Sequence, residues 1–337
     1  MPRTIAVILA GAVAKGAFEA GALQIFAESD VRVARIVAAS SGALNGVAYA
    51  SAVRGRRERE GAAELVALWR DRAAWSDIVH VDLHALVRRE GVSDLSHVRA
   101  ILRRAVRPVE IADRAEVELR IILAPLDGAD DRIGDRIVTT YERMVHFDGA
   151  SFDSEAGLEE VFTAVCASAS FPLVFAPTEV PGVGRCVDGG AVNNTPIGWA
   201  LDDLGAALDA VVVIAPTPER LRAPLGEQHG MTYVSHLIDM LINERLYRDL
   251  REAEARNAAM RALAATPVEP HAMAAVRRAL GWETARPIDI VQIRPLDPLP
   301  GGAFSAFRDE AQREAYLAAG AERAKAVLGE LGWLARG

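Results

Sequence analysis

The pattern of apolar and polar positions gives the first reading. TIAVILA (4–10) is an unbroken apolar run, the signature of a strand buried on both faces, and VARIVAA (33–39) repeats it. Between them, KGAFEAGALQIFAE (15–28) carries apolar residues at helical spacing, and GALNGVAYASAV (42–53) predicts a helix of small residues. Strand, glycine turn and helix, given twice in fifty residues, predict a parallel α/β sheet. Further strands are expected at VELRIILAPL (117–126), DRIVTTY (135–141), CVDGG (186–190), AVVVIAP (210–216) and IDIVQIRP (288–295). Helices are expected at AAELVALWRDRA, SHVRAILRRAV and LEEVFTAVCAS. A long helix or helix pair should run from about 232 to 264, with Leu237, Met240, Leu241 and Leu250 as its apolar stripe. The residues from Phe304 onward read as a final amphipathic helix covering the sheet. The expected fold is therefore α/β, three-layered, with a mostly parallel central sheet flanked by helices. The late strand at 288–295 favours one continuous domain: a core over 4–200, continued by 201–337, whose long helices offer a lid or a membrane-docking face.

Composition narrows the partners. The chain has 337 residues, about half of them apolar, and a formal charge of −8 with no long basic run. Nucleic acid is excluded as a partner, since phosphate binding needs clustered Lys and Arg. No apolar stretch reaches the ~18 residues of a membrane span, and a polybasic anchor is absent, although peripheral membrane contact stays open. The two cysteines, Cys166 and Cys186, form no CxxC or Cys/His pattern and suggest a reducing, cytoplasmic setting. The seven histidines include no HExxH, and His80 with His84 lacks an acidic ligand motif, so neither a metal nor a cofactor is expected. The start, MPRTIAVILAGAVA, has the arginine, apolar run and AxA-like end of a signal peptide. The run is short, however, and Lys15 and Glu19 continue it as an amphipathic helix, which argues against cleavage.

Three stretches carry chemistry. AASSGALNG (38–46) follows an apolar strand. A nucleophile elbow needs small residues two before and two after the serine. Ser40 has Ala38 and Gly42 there, whereas Ser41 has Ala39 and Ala43, so Ser40 is the better nucleophile; helix capping by the two serines is the plain alternative. LAGAVAKGAFEAG (9–21) is a glycine loop that could hold phosphate or form an oxyanion hole. Gly11 and Gly16 have P-loop spacing, but Ala17-Phe18 replaces the Lys-Ser/Thr pair and Val13 replaces the second glycine of a dinucleotide fingerprint. VDGGAVNNTPI (187–197) offers a carboxylate, Asp188, on what reads as a flexible, accessible Asp-Gly turn.

Taken together these blocks resemble the patatin-like phospholipases. The resemblance covers about residues 4–200 and rests on LAGAVAKGAFEAGAL, AASSGALNG, ASASFPLVFAP (167–177) and DGGAVNNTP (188–196), in the family's order. It implies a patatin-like serine hydrolase fold and lipid acyl ester hydrolysis by a Ser–Asp dyad, without histidine: Ser40 as nucleophile and Asp188 as base. The acyl-enzyme would be released by water. It implies an oxyanion hole from Gly11, Ala12 and Val13, supported by Lys15, Gly16, Gly42, Gly189 and Gly190, and a lipid or phospholipid as substrate. Phe171, Pro172, Leu173 and Phe175 would shape the acyl pocket, and Asn193 and Asn194 would hold the Asp loop. An exposed aspartate with a pKa near 4 is a weak base, so the dyad would need a direct Ser–Asp hydrogen bond.

Two departures from the family's pattern matter. Gly-Ala-Val stands where relatives have a run of glycines, and β-branched Val13 is expected to resist a positive φ. Ala38 replaces the elbow glycine, which a slightly wider helix–strand gap should accommodate. The alternative is a catalytically impaired, lipid-binding or regulatory relative.

Overall fold

The computed structural model describes residues 2–80, 91–133, 135–201, 208–220, 231–282 and 286–334. The first fifty residues form β1 (Arg3–Leu9), α1 (Gly16–Phe26), β2 (Val31–Ala38) and α2 (Ser41–Arg54), as the alternating pattern predicts. Next come α3 (Glu58–Arg72), α4 (Trp75–Ile78), α5 (Ser96–Ala105) and β3 (Glu118–Pro125). β4 (Ala129–Ile133) and β5 (Arg136–Thr140) make a separate antiparallel ribbon, so the stretch 135–141 is a strand that does not join the main sheet. Its Ile137 is 76% exposed, which a central strand would not permit.

β6 (Arg143–Phe147), α6 (Glu155–Ser168), β7 (Thr178–Val180) and β8 (Gly184–Asp188) follow. They are succeeded by α7 (Ile197–Leu201), β9 (Ala210–Ile214), α8 (Met231–Ala265), α9 (Pro270–Ala279), β10 (Asp289–Ile293) and α10 (Glu310–Glu330). α10 begins later than Phe304: Asp309 is its N-cap, accepting the Gln312 N–H at 3.2 Å. Among the described residues no helix is long and apolar enough to cross a membrane.

The main sheet runs β10–β9–β1–β2–β3–β8–β7, with β6 also on β3. The pairs from β10 to β3 are parallel. β6, β8 and β7 are antiparallel, and the hydropathy pattern anticipates neither β6 nor β7 because both are short and partly exposed. From β1 the chain adds β2 and β3 on one side and, much later, β9 and β10 on the other. Such a switch point leaves a crevice beyond the carboxyl ends of the strands, and the glycine loop starts there.

The unbroken apolar run of β1 reflects burial on both faces. Ile5, Val7 and Leu9 pack with Phe18, Leu23, Val47 and Leu328 on one side. Ala6, Ile8 and Ala10 pack with Ile197, Leu246 and Leu250 on the other. Each such aliphatic side chain contributes about 2 kcal/mol of burial, so this strand anchors all three layers. On α8, Leu246, Leu250 and Ala253 form a buried stripe with helical spacing. Leu250 thus belongs to the core, while Met240 is 48% exposed. The side chains of Leu237 and Leu241 lie outside the described residues.

Candidate active site

Ser40 sits between β2 and α2 with φ 53° and ψ −129°, a conformation that L-residues avoid. The turn is this sharp because α2 starts one residue later and comes close to β1: a Cβ on Gly42 would run into the Leu9 carbonyl. Neighbouring hydrogen bonds hold the strain. Ala39 N–H donates to Leu9 O at 3.2 Å, and Ser40 N–H donates to Ser168 Oγ at 2.9 Å. Ser168 in turn donates to Ile122 O at 2.7 Å. Ala38 fits without the wider gap expected of it. A Cβ on Gly46 would lie 3.3 Å from the Ala38 Cβ, so a glycine one helical step along α2 leaves room for the extra methyl.

Asp188 ends β8, and its side chain is fixed twice. Oδ1 accepts the Gly190 N–H at 2.7 Å, and Oδ2 accepts the Ser40 hydroxyl at 2.6 Å. Its own N–H donates to Ser170 O at 3.0 Å. Contrary to the accessible turn expected, Asp188 is only 3% exposed. The Asp-Gly-Gly segment is a single 3-10 turn packed beneath β3, where Gly189 lies against the Ile122 carbonyl. Burial pushes the carboxyl up to about 7, partly opposed by the hydrogen bonds from Ser40 and Gly190. The group is therefore a far stronger base than the exposed aspartate read from the sequence.

The glycine loop is held from two sides. Asn194 clamps Gly11: its carbonyl accepts the Gly11 N–H at 3.2 Å, and its side-chain amide donates to Gly11 O at 2.9 Å. Ser41 Oγ accepts the Ala12 N–H at 3.0 Å. Ala14 N–H donates to Ala303 O, and Lys15 N–H to Ala12 O. Of these five amides only that of Val13 has no acceptor among the described residues. Val13 does adopt a positive φ, 52°, against the expectation that its β-branch would prevent it. The fixed amides on either side leave the residue no other conformation, at a cost of about 1–2 kcal/mol. Lys15 is half-buried and makes no ion pair among the described residues.

One network escaped the motif reading. Asn45 on α2 donates to Gly16 O and to Glu19 Oε2, both at 2.9 Å, and accepts from Trp69 Nε1 at 2.7 Å. Glu19 is fully buried, and burial raises its carboxyl well above the usual range. The signal available in sequence was an acid inside the apolar face of α1. Asn193, expected to steady the Asp loop, donates to Glu142 at 2.6 Å; Glu142 also accepts from Trp199 and Arg245.

Ser40, Asp188 and Val13 border one end of a cavity of about 120 Å³, walled by apolar residues of α2, α3 and α5. Phe171 and Phe175 line it as expected. Leu173 does not: it is 80% exposed at φ 73°, and Pro172 is also exposed. Cys166 and Cys186 are buried free thiols. Among the described residues no three His, Cys, Asp or Glu side chains cluster as metal ligands.

A mixed, mostly parallel sheet flanked by helices, with a strained serine facing a carboxylate at the strand ends, defines the class. The chain belongs to the patatin-like phospholipase family, whose model matches residues 7–201, more than half its length. Membership places it, at the family level, among lipid acyl hydrolases. Among solved structures, VipD from Legionella pneumophila aligns over 98% of this chain and 67% of its own, at 12% identity and a TM-score of 0.43. No curated protein matches.

Proposed function

We propose that this chain cleaves acyl esters of phospholipids or lysophospholipids, with Ser40 as the nucleophile and Asp188 as its base. The observation that carries this reading is the 2.6 Å hydrogen bond from Ser40 Oγ to buried Asp188. Asp188 takes the hydroxyl proton as Oγ attacks the carbonyl carbon, and returns it to the leaving alcohol. It then takes a proton from the water that releases the fatty acid. A base with pKa near 7 matches neutral conditions, and no histidine is required. The Val13 N–H and the positive end of α2 face the developing oxyanion.

A second reading is favoured by one observation: the Gly11 and Ala12 amides are already engaged, by Asn194 O and Ser41 Oγ. One missing oxyanion donor costs roughly 100- to 1,000-fold in rate, which would leave a slow enzyme or a lipid-binding protein. Intact-mass analysis after treatment with a fluorophosphonate serine probe separates the two. A single adduct that is lost in Ser40→Ala but kept in Ser41→Ala supports the hydrolase. Folded wild type with no adduct supports lipid binding.

A further inference from the structure

The cavity beside Ser40 follows one stripe of α2. After Ser40 and Ser41 it touches Leu44, Asn45 and Ala48. A second groove, of about 700 Å³, takes up the same stripe at Ser51 and Gly55. Leu68, Arg72 and Ala105 line both spaces. The two are therefore consecutive segments of one path along α2, parted by a sill at those three residues.

Helix rise measures the path. At 1.5 Å per residue, Ala48 lies about 12 Å along α2 from Ser40, and Gly55 about 22 Å. An extended hydrocarbon advances about 1.3 Å per carbon, the projection of a C–C bond of about 1.5 Å. The first cavity thus takes roughly nine carbons of an acyl chain, and a longer chain has to cross the sill.

The second groove suits that chain. Its wall next to the sill is Ala67, Leu68 and Ala105, and its far side is Pro108, Val109 and Ile111. The charges it carries are at its rim. Arg57 is paired with Glu64 at 2.9 Å, and Arg72, Arg104 and Arg107 are solvent-exposed, as are Asp71 and Glu110. Cations and anions are mixed, so the rim has no strong preference for an anionic head group, whereas the apolar walls continue those of the first cavity.

We propose that this groove is the distal half of the acyl-chain site. The substrates are then long-chain esters, of about twelve carbons or more, whose terminal methylenes cross between Leu68 and Ala105. The assignment of the chain's reactive end rests on the hydrolase reading above; the path itself does not.

The test is therefore a binding measurement that needs no turnover. Octanoate and palmitate displace a fluorescent fatty acid from wild type, from Ala67→Trp, which fills the groove, and from Ala105→Phe, which raises the sill. Thermal melts by circular dichroism check that each variant is folded. Wild type should bind palmitate at least tenfold more tightly than octanoate, and either folded variant should lose most of that preference. Equal affinities in wild type, or a preference unchanged in both variants, would overturn the proposal. A kept preference together with no ester hydrolysis and no Ser40 adduct would sink the hydrolase reading and leave the channel standing.

Discussion

Ser41 Oγ accepts the Ala12 N–H at 3.0 Å, so the second hydroxyl of the Ser-Ser pair serves the glycine loop. The neighbouring hydroxyl, on Ser40, faces Asp188. Removing Ser41 Oγ leaves a partly buried amide without its acceptor. Ser41→Ala should therefore lose about 1 kcal/mol of unfolding free energy in urea. It should still form the fluorophosphonate adduct; a folded Ser41→Ala protein that no longer labels would give Ser41 the role assigned to Ser40.

The elevated pKa of Asp188 sets a pH dependence. Ester hydrolysis should rise with pH through a midpoint near 7 and fall to about 1% of its maximum at pH 5, because the protonated acid cannot act as base. A midpoint near 4 would show that burial does not control this group.

Stability should move in the opposite direction. The folded pKa, about 7, lies above the ordinary value of 3.8. The contribution is then fully present below pH 3.8 and is lost as pH rises through 7. Asp188→Asn, neutral throughout, should gain in melting temperature relative to wild type between pH 5 and pH 8.5. A difference constant with pH would argue against the shift.

Backbone strain at Ser40 predicts an ordering of two inactive variants. At φ 53° and ψ −129° a glycine is unstrained while an alanine keeps the strain. Ser40→Gly should exceed Ser40→Ala by about 1 kcal/mol in urea unfolding, despite the extra chain entropy of glycine. The reverse order would place the strain elsewhere.

Ala38 and Gly46 should be energetically coupled, since a methyl at one occupies space left by the other. Gly46→Ala should cost about 1–3 kcal/mol in wild type, and clearly less in an Ala38→Gly background. Additive effects would mean that the helix–strand gap simply widens.

Much of the frame was legible in order of residues alone. β1, α1, β2 and α2 follow from local periodicity, and the runs around Ser40, Gly11 and Asp188 mark the site because turn chemistry is local. The tertiary structure decided what depends on distant partners. Ser40 meets Asp188 across 148 residues, and Gly11 meets Asn194 across 183. Burial beneath β3 turned an ordinary Asp-Gly turn into a base with a pKa near 7. Val13 took a positive φ because amides on both sides of it were already bonded. The antiparallel strands β6 and β7 depend on pairing with β3 and β8, which no short apolar run could announce. Periodicity reports which face of an element is apolar; it does not report what comes to lie against that face, and the charge, strain and reach of this site are set there.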